Sequence, residues 1–252
     1  MRYFLRLAYF GKPFHGWQIQ PNAPSVQQTL TRSLATIVQE EVSVTGAGRT
    51  DTGVHAREMY AHFDLSERLE DRPLIINRLN KMLGPAIAVY ELFPVPENAH
   101  ARFDALRRDY EYHISRIKNP FIQDLSAQYT YPLDGAKMQT ASGLLLGEKD
   151  FRSFCKSRAQ IDHGICRVER AEWQLNADLW VFKISANRFL RNMVRAIVGS
   201  LLEVGRGRMS IQAFEEMIKA KDRRLAGESV APQGLYLTGI EYPKEILDGR
   251  FS

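Results

Sequence analysis

Apolar and polar positions along this chain follow two periods, and the switches between them mark its elements. Residues 2–10 (RYFLRLAYF) interleave aromatic and aliphatic side chains with Arg2 and Arg6, the pattern of a half-buried strand. A Gly/Pro turn follows at 11–13. From Ser25 the period becomes helical. Val26, Leu30, Leu34, Ile37 and Val38 fall on one face, behind Pro24 and a Ser25/Gln28 capping box, which predicts a helix over 25–40. Strands are predicted at 42–46 and 59–65, on either side of a glycine-rich loop. A helix over 73–83 starts at Pro73 and stops at Gly84-Pro85. Further strands are predicted at 86–95, 105–117, 168–175, 179–186 and 235–242. Asn176-Ala177-Asp178 turns one of them into the next. Further helices are predicted at 134–146, with Asp134 as cap, at 188–204 and at 210–221.

Strands and helices alternate in both halves, and strands return as hairpins. That predicts an α+β fold: two similar α/β units with antiparallel or mixed sheets flanked by helices, and an active-site cleft between them. The expected units are 1–104, with the glycine-rich loop, and 105–252, with a tyrosine-bearing strand and an arginine-bearing helix.

The chain has 252 residues, 44% hydrophobic and 25% charged, enough for a sizeable core without covalent staples. Its net charge of +5 favours polyanionic partners but does not single out nucleic acid. Cys155 and Cys166 form no CxxC pair and have no clustered histidines, so neither a zinc site nor a disulfide framework is expected. Two free thiols fit a reducing compartment. His55, His62, His100 and His113 are scattered, and no metal site is expected. No apolar run reaches the roughly 18 residues of a membrane span, and the first residues lack a signal-peptide core. A cytoplasmic location with no membrane partner is the expectation.

The loop GAGRTDTGVHA (46–56) carries the clearest chemistry. Glycines at 46, 48 and 53 permit positive φ and close approach of backbone to a ligand. Between them stand Arg49, Asp51 and His55. A carboxylate beside a guanidinium tends to stay ionised, and on a scaffolded loop it can serve as nucleophile or base. The plain alternative is an Asx-turn in which Asp51 caps its own loop. Asp51-Thr52-Gly53 also matches the aspartic-protease triplet, but no apolar strand leads directly into it and the chain has no second D-[ST]-G. The GK[ST] of a phosphate-binding P-loop is absent from it.

Two other segments carry candidate site residues. On the helix predicted at 188–204, Leu190, Met193, Val194, Ile197, Val198, Leu201 and Leu202 form a core stripe. Arg188, Arg191, Asn192 and Arg195 form a second stripe. A solvated face is its plain reading, yet no glutamate interleaves to pair with the arginines, and guanidinium forks suit phosphate. On the strand over 105–117, Arg108, Tyr110 and Tyr112 share one face, where both tyrosines could pack against a helix. Phe4, Tyr9, Phe14 and Trp17 read as packing residues.

GRTDTGVHA resembles the GRTDAGVHA motif of the tRNA pseudouridine synthase A family, and the likeness continues along nearly the whole chain. Residues 9–30 (YFGKPFHGWQIQPNAPSVQQTL) hold the family's GWQ and SVQ, and 100–114 (HARFDALRRDYEYHI) are similar to its HARF and R-x-Y-x-Y segment. NRFLRNMVRAIVGSLL (187–202) resembles its MVR…IVG helix, and GLYLTGIEYP (234–243) its terminal GLYL strand. The segments 115–131 and 158–167 match poorly, and Thr52 stands where alanine is usual, a small change expected to be tolerated.

The resemblance implies an isomerase that converts uridine to pseudouridine at tRNA positions 38 to 40, in the anticodon arm, without a cofactor or metal. It implies Asp51 as the catalytic carboxylate, and Arg49 and Tyr110 as substrate contacts, the latter against the target base. Arg195 would pair with Asp51, Arg188 and Arg191 would face RNA phosphates, and a homodimer would share one tRNA. Two rivals need different chemistry. A non-catalytic RNA-binding protein would use the same arginines and have no need of Asp51. A hydrolase would need a metal cluster or a second carboxylate, and the sequence offers neither.

Overall fold

The computed structural model describes residues 1–156 and 163–251. It divides into two compact units: residues 1–106 with 237–252, and residues 107–236. This differs from a single cut at 104/105. The last strand and the residues after it pack with the first unit, because the hydrogen-bonding edge they cover belongs to that unit's sheet.

The first unit contains β1 (Arg2–Tyr9), α1 (Val26–Val38), β2 (Thr45–Gly46), β3 (His55–Asp64), α2 (Arg72–Met82) and β4 (Ile87–Val95). β1 is central and antiparallel to both β3 and β4, with Phe4 opposite His62 on one side and Phe93 on the other. β2 pairs with β3. Ser25 caps α1 by accepting the Gln28 N–H, and Asp71 caps α2 by accepting from Leu74. Phe4 is fully buried among Tyr60, His62, Phe93 and Tyr242.

The second unit begins with β5 (Arg107–Ser115), β6 (Ala127–Gln128), α3 (Gly135–Gly143) and β7 (Gly147–Asp150). β8 (Ile165–Leu175), β9 (Leu179–Ala186), α4 (Met193–Gly205) and α5 (Ile211–Ala220) follow. Its strands run in the order β5-β9-β8-β7, each neighbour antiparallel, with β6 added parallel to β5. The β8–β9 hairpin turns at 176–178 as predicted and sets Trp173 against Phe182, ring centroids 5.0 Å apart. Asp134 and Ser210 cap α3 and α5. β10 (Leu235–Glu241) then carries the chain back into the first unit, where it neighbours β3 and the Ile240 N–H reaches Glu58; α6 (Lys244–Leu247) follows. The α+β alternation is therefore present in both units, largely with antiparallel pairing.

The predicted helix over 188–204 is corrected: α4 starts at Met193. Two side-chain effects hold 187–192 out of helix. The Asn187 carboxamide oxygen accepts from the Arg167 and Arg188 N–H groups, and Asn192 takes a left-handed conformation (φ 67°). Arg188 and Arg191 therefore lie on the loop that enters α4, and only Arg195 of the expected stripe is on the helix. The predicted strand at 42–46 is likewise shorter, confined to Thr45–Gly46. Of the poorly matching stretch 158–167, residues 158–162 lie outside the described residues.

Candidate active site

The Asp51 loop follows β2 and leads into β3. Its shape is imposed by the segment between β1 and α1. The Trp17 N–H donates to the Thr50 carbonyl, and the Tyr9 hydroxyl shares a buried 2.9 Å hydrogen bond with the Thr50 hydroxyl. Gly16 has φ +87°, and a methyl group there would come within 2.4 Å of the Thr50 carbonyl oxygen. Only glycine lets the two backbones approach so closely. Trp17 is buried and lies so near Gly46 that an added Cβ would meet its indole at 2.4 Å, so this tryptophan packs the loop's entrance. On the far side, the Gly11 N–H donates to His55 Nδ1, which leaves the neutral ring's proton on Nε2, and Phe10 stacks on the imidazole. The Val54 N–H returns to the Asp51 carbonyl and closes the turn, with Gly53 at φ +78°.

Asp51 is half-buried on this braced turn, with Arg49 and Thr52 exposed to either side and Thr50 buried beneath. A carboxylate so placed is reachable from solvent but fixed at its backbone. That combination suits a nucleophile or base acting on a ligand that approaches from outside.

The second unit assembles a different arrangement. Tyr110 on β5 is half-buried and meets Phe189 edge-on at 5.0 Å. Tyr112, two residues on, is fully buried, and its hydroxyl donates to the Ala231 carbonyl. Burial pushes its phenol pKa up, so it stays protonated and can keep donating. Arg195 on α4 donates from Nε to the neighbouring Val230 carbonyl, and the Val230 N–H returns to the Arg195 carbonyl. The loop over 227–231 is thus held from both β5 and α4. Gly199 lets it lie flat on the helix, since a Cβ there would meet the Glu228 carbonyl oxygen at 1.8 Å. Asn192 and Arg223 both hold the Ser229 hydroxyl. Arg188 is half-buried with Nη1 against His163, and Arg191 is exposed. Among the described residues, no group of His, Cys, Asp and Glu is arranged to hold a metal ion, and no helix is long and apolar enough to cross a membrane.

Comparison with known proteins bears on the same segments. The sequence model described as tRNA pseudouridine synthase matches residues 141–243, the stretch that includes α4 and β10. A tRNA pseudouridine synthase A of Parabacteroides distasonis is 47% identical over 245 residues, 97% of each chain. One from Bacteroides fragilis is 46% identical over 98% of each chain, and one from Bordetella petrii is 40% identical over 97% of this chain and 92% of its own. The chain belongs to the tRNA pseudouridine synthase A family. Members of this family are thus aligned with it through both units, and the Asp51 loop lies inside the aligned length. Within the family's sequence pattern, the glycines of GWQ and IVG now have a physical reason at Gly16 and Gly199: each admits a crossing backbone. Sequence reasoning passed over both, and over Tyr112 as a tether. Their signal was a lone glycine beside an aromatic or inside an apolar helix, which alone does not reveal the crossing segment.

Proposed function

We propose that this enzyme, an isomerase, converts uridine to pseudouridine at positions 38, 39 and 40 of tRNA, in the anticodon arm, with Asp51 as the catalytic carboxylate. The observation that carries the reading is the braced turn: Asp51 is half-buried, solvent-reachable and fixed through Thr50, Gly16 and His55. The target nucleotide leaves its stack to reach such a group, at a cost of about a few kcal/mol. Asp51 then promotes cleavage of the bond between ribose C1′ and uracil N1. The freed uracil turns and rejoins C1′ through its C5. The C5 hydrogen leaves as a proton, N1 gains one, and the product is an isomer of the substrate, so no oxidant, reductant or group donor is consumed. Tyr110 is assigned to the target base, its ring as a stacking surface and its hydroxyl as an aid to removing the C5 proton. Arg49 contacts the substrate beside Asp51, Arg195 supplies the supporting cation of the chemistry, and Arg188 and Arg191 meet RNA phosphates. The two last-named residues reach that role from a loop, where they can follow the RNA backbone more freely than from a helix face. A homodimer in the cytoplasm completes the proposal.

The test is hydrogen release. Unmodified tRNA tritiated at uridine C5 is incubated with the enzyme alone, beside Asp51→Ala and Asp51→Asn. Wild type is expected to release tritium to water, with both variants reduced by about four orders of magnitude or more while binding tRNA normally. Absence of release by wild type across a full tRNA pool would leave a non-catalytic RNA-binding protein as the better account. Mapping the product by primer extension after chemical labelling checks positions 38 to 40.

A further inference from the structure

The HARF turn, residues 100–104, is far more rigidly built than a connection between strands requires. The His100 N–H donates to Asp104 Oδ2 at 2.7 Å, and the Asp104 N–H returns to the His100 carbonyl. His100 Nδ1 accepts from the Arg102 and Phe103 N–H groups. His62, projecting from β3, accepts the Ala101 N–H, and the Tyr242 hydroxyl donates to the Ala101 carbonyl. Arg2 holds the Ala99 carbonyl and is itself paired with Asp64. Every one of these bonds fixes backbone, and what they present is one large ring. Phe103 is 74% exposed. One face leans on the His100 imidazole, centroids 4.2 Å apart, and the exposed Arg102 guanidinium lies 5.7 Å from the ring centroid.

An exposed phenylalanine costs solubility and gives nothing to the core. A ring backed by one aromatic, flanked by a cation and fixed at its backbone is instead what stacking on an RNA base requires. Such stacking is insensitive to base identity, and an adjacent arginine suits the neighbouring phosphate. The excess of positive charge on the chain agrees with a polyanionic occupant. The position is also informative. The Asp51 loop enters β3 at His55, whereas His62 stands seven residues further along the same strand, on the order of 20 Å away. A base held on Phe103 is therefore not the base that reacts.

We propose that the Arg102–Phe103 turn is a second RNA contact, where an unpaired base of the bound RNA stacks on Phe103 and Arg102 holds the phosphate beside it. This rests on the RNA substrate proposed above. Because the contact is remote from the reacting bond, it contributes to binding in ground and transition state alike, and so acts on KM and not on kcat.

The test measures equilibrium binding of full-length enzyme to unmodified tRNA, beside tritium release. Phe103→Ala is expected to weaken binding and raise KM about tenfold with kcat within about twofold of wild type, the scale of one lost base stack. Phe103→Trp should bind like wild type, and Arg102→Gln should lower the salt dependence of binding. Thermal unfolding and sedimentation are followed for each variant. Unchanged tRNA affinity in Phe103→Ala overturns the proposal. So does a loss that Phe103→Trp fails to restore, or one that appears as altered self-association with per-site affinity intact, which would make Phe103 a contact between copies of the chain. Binding is read without catalysis. A wild type that binds tRNA but releases no tritium removes the proposed reaction and leaves the stacking contact to be judged by affinity.

Discussion

The Asp51 loop and the 227–231 loop are both irregular segments held in one conformation, but by opposite means. The first is held mainly by backbone: Gly16 lies under the Thr50 carbonyl, and Trp17 and Gly11 donate main-chain hydrogen bonds to it. The second is held mainly by side chains, with Arg195, Tyr112, Asn192 and Arg223 all reaching to it. The difference suits what each loop exposes. Backbone bracing leaves the side chains of Arg49, Asp51 and Thr52 uncommitted to scaffolding and directed to a ligand. Side-chain tethering consumes the polar groups it employs and makes the loop a fixed wall.

The largest expected effect breaks the second loop. Gly199→Ala places a methyl 1.8 Å from the Glu228 carbonyl oxygen, both on main chain, so either the loop lifts or α4 shifts. A loss of about 3 kcal/mol is expected in urea denaturation, with activity recovering little under stabilising conditions. Next comes Gly16→Ala, which combines a positive φ with a 2.4 Å clash on Thr50. Here kcat is expected to fall about 100-fold, because displacing the reacting carboxylate by an ångström is enough, while stability falls by only about 1–2 kcal/mol. Gly48→Ala is the control: an added Cβ meets nothing within 4 Å, so stability should change by less than about 0.5 kcal/mol. If Gly16→Ala and Gly48→Ala gave equal rates, backbone bracing of Asp51 would be refuted.

The smallest effect concerns acid. His62 accepts the Ala101 N–H, so it must be neutral at Nδ1, and burial with help from Arg2 and His100 pulls its pKa down to about 4. Its folded-state value lies below the ordinary 6.5, so the unfolded chain binds the proton more readily. The contribution is complete above about pH 6.5 and is lost as pH falls from there towards 4. His62→Gln should flatten that part of the stability curve by about 1–2 kcal/mol, with little change at pH 8. An unaltered pH slope would mean that His62 does not hold the HARF turn in this way.

Much of the scaffold was legible because it is local. Ser25, Asp134 and Ser210 declare helix starts through side chains that reach only three residues, and β1 declares itself by alternation. The Asp51 loop was legible for the same reason, its glycines and charges being contiguous. What escaped is non-local. The stripe Arg188, Arg191, Asn192, Arg195 has helical spacing, yet Asn187 bonds to Arg167, twenty residues back, and the helix cannot begin until Met193. Gly16 and Gly199 each meet a backbone about thirty residues away, and no window of sequence contains both partners. The membership of 237–252 in the first unit depends on an edge of β3 that composition does not show.

That last arrangement governs the order of events during synthesis. The unit that emerges first from the ribosome is completed last, since β3 keeps an open hydrogen-bonding edge until residues 237–241 have been made. For the time needed to translate the whole second unit, the nascent chain carries an unprotected strand edge, the feature most prone to pairing with a wrong partner. The reactive loop leads directly into that strand, so the enzyme's chemistry becomes available only after nearly the whole chain has been synthesised.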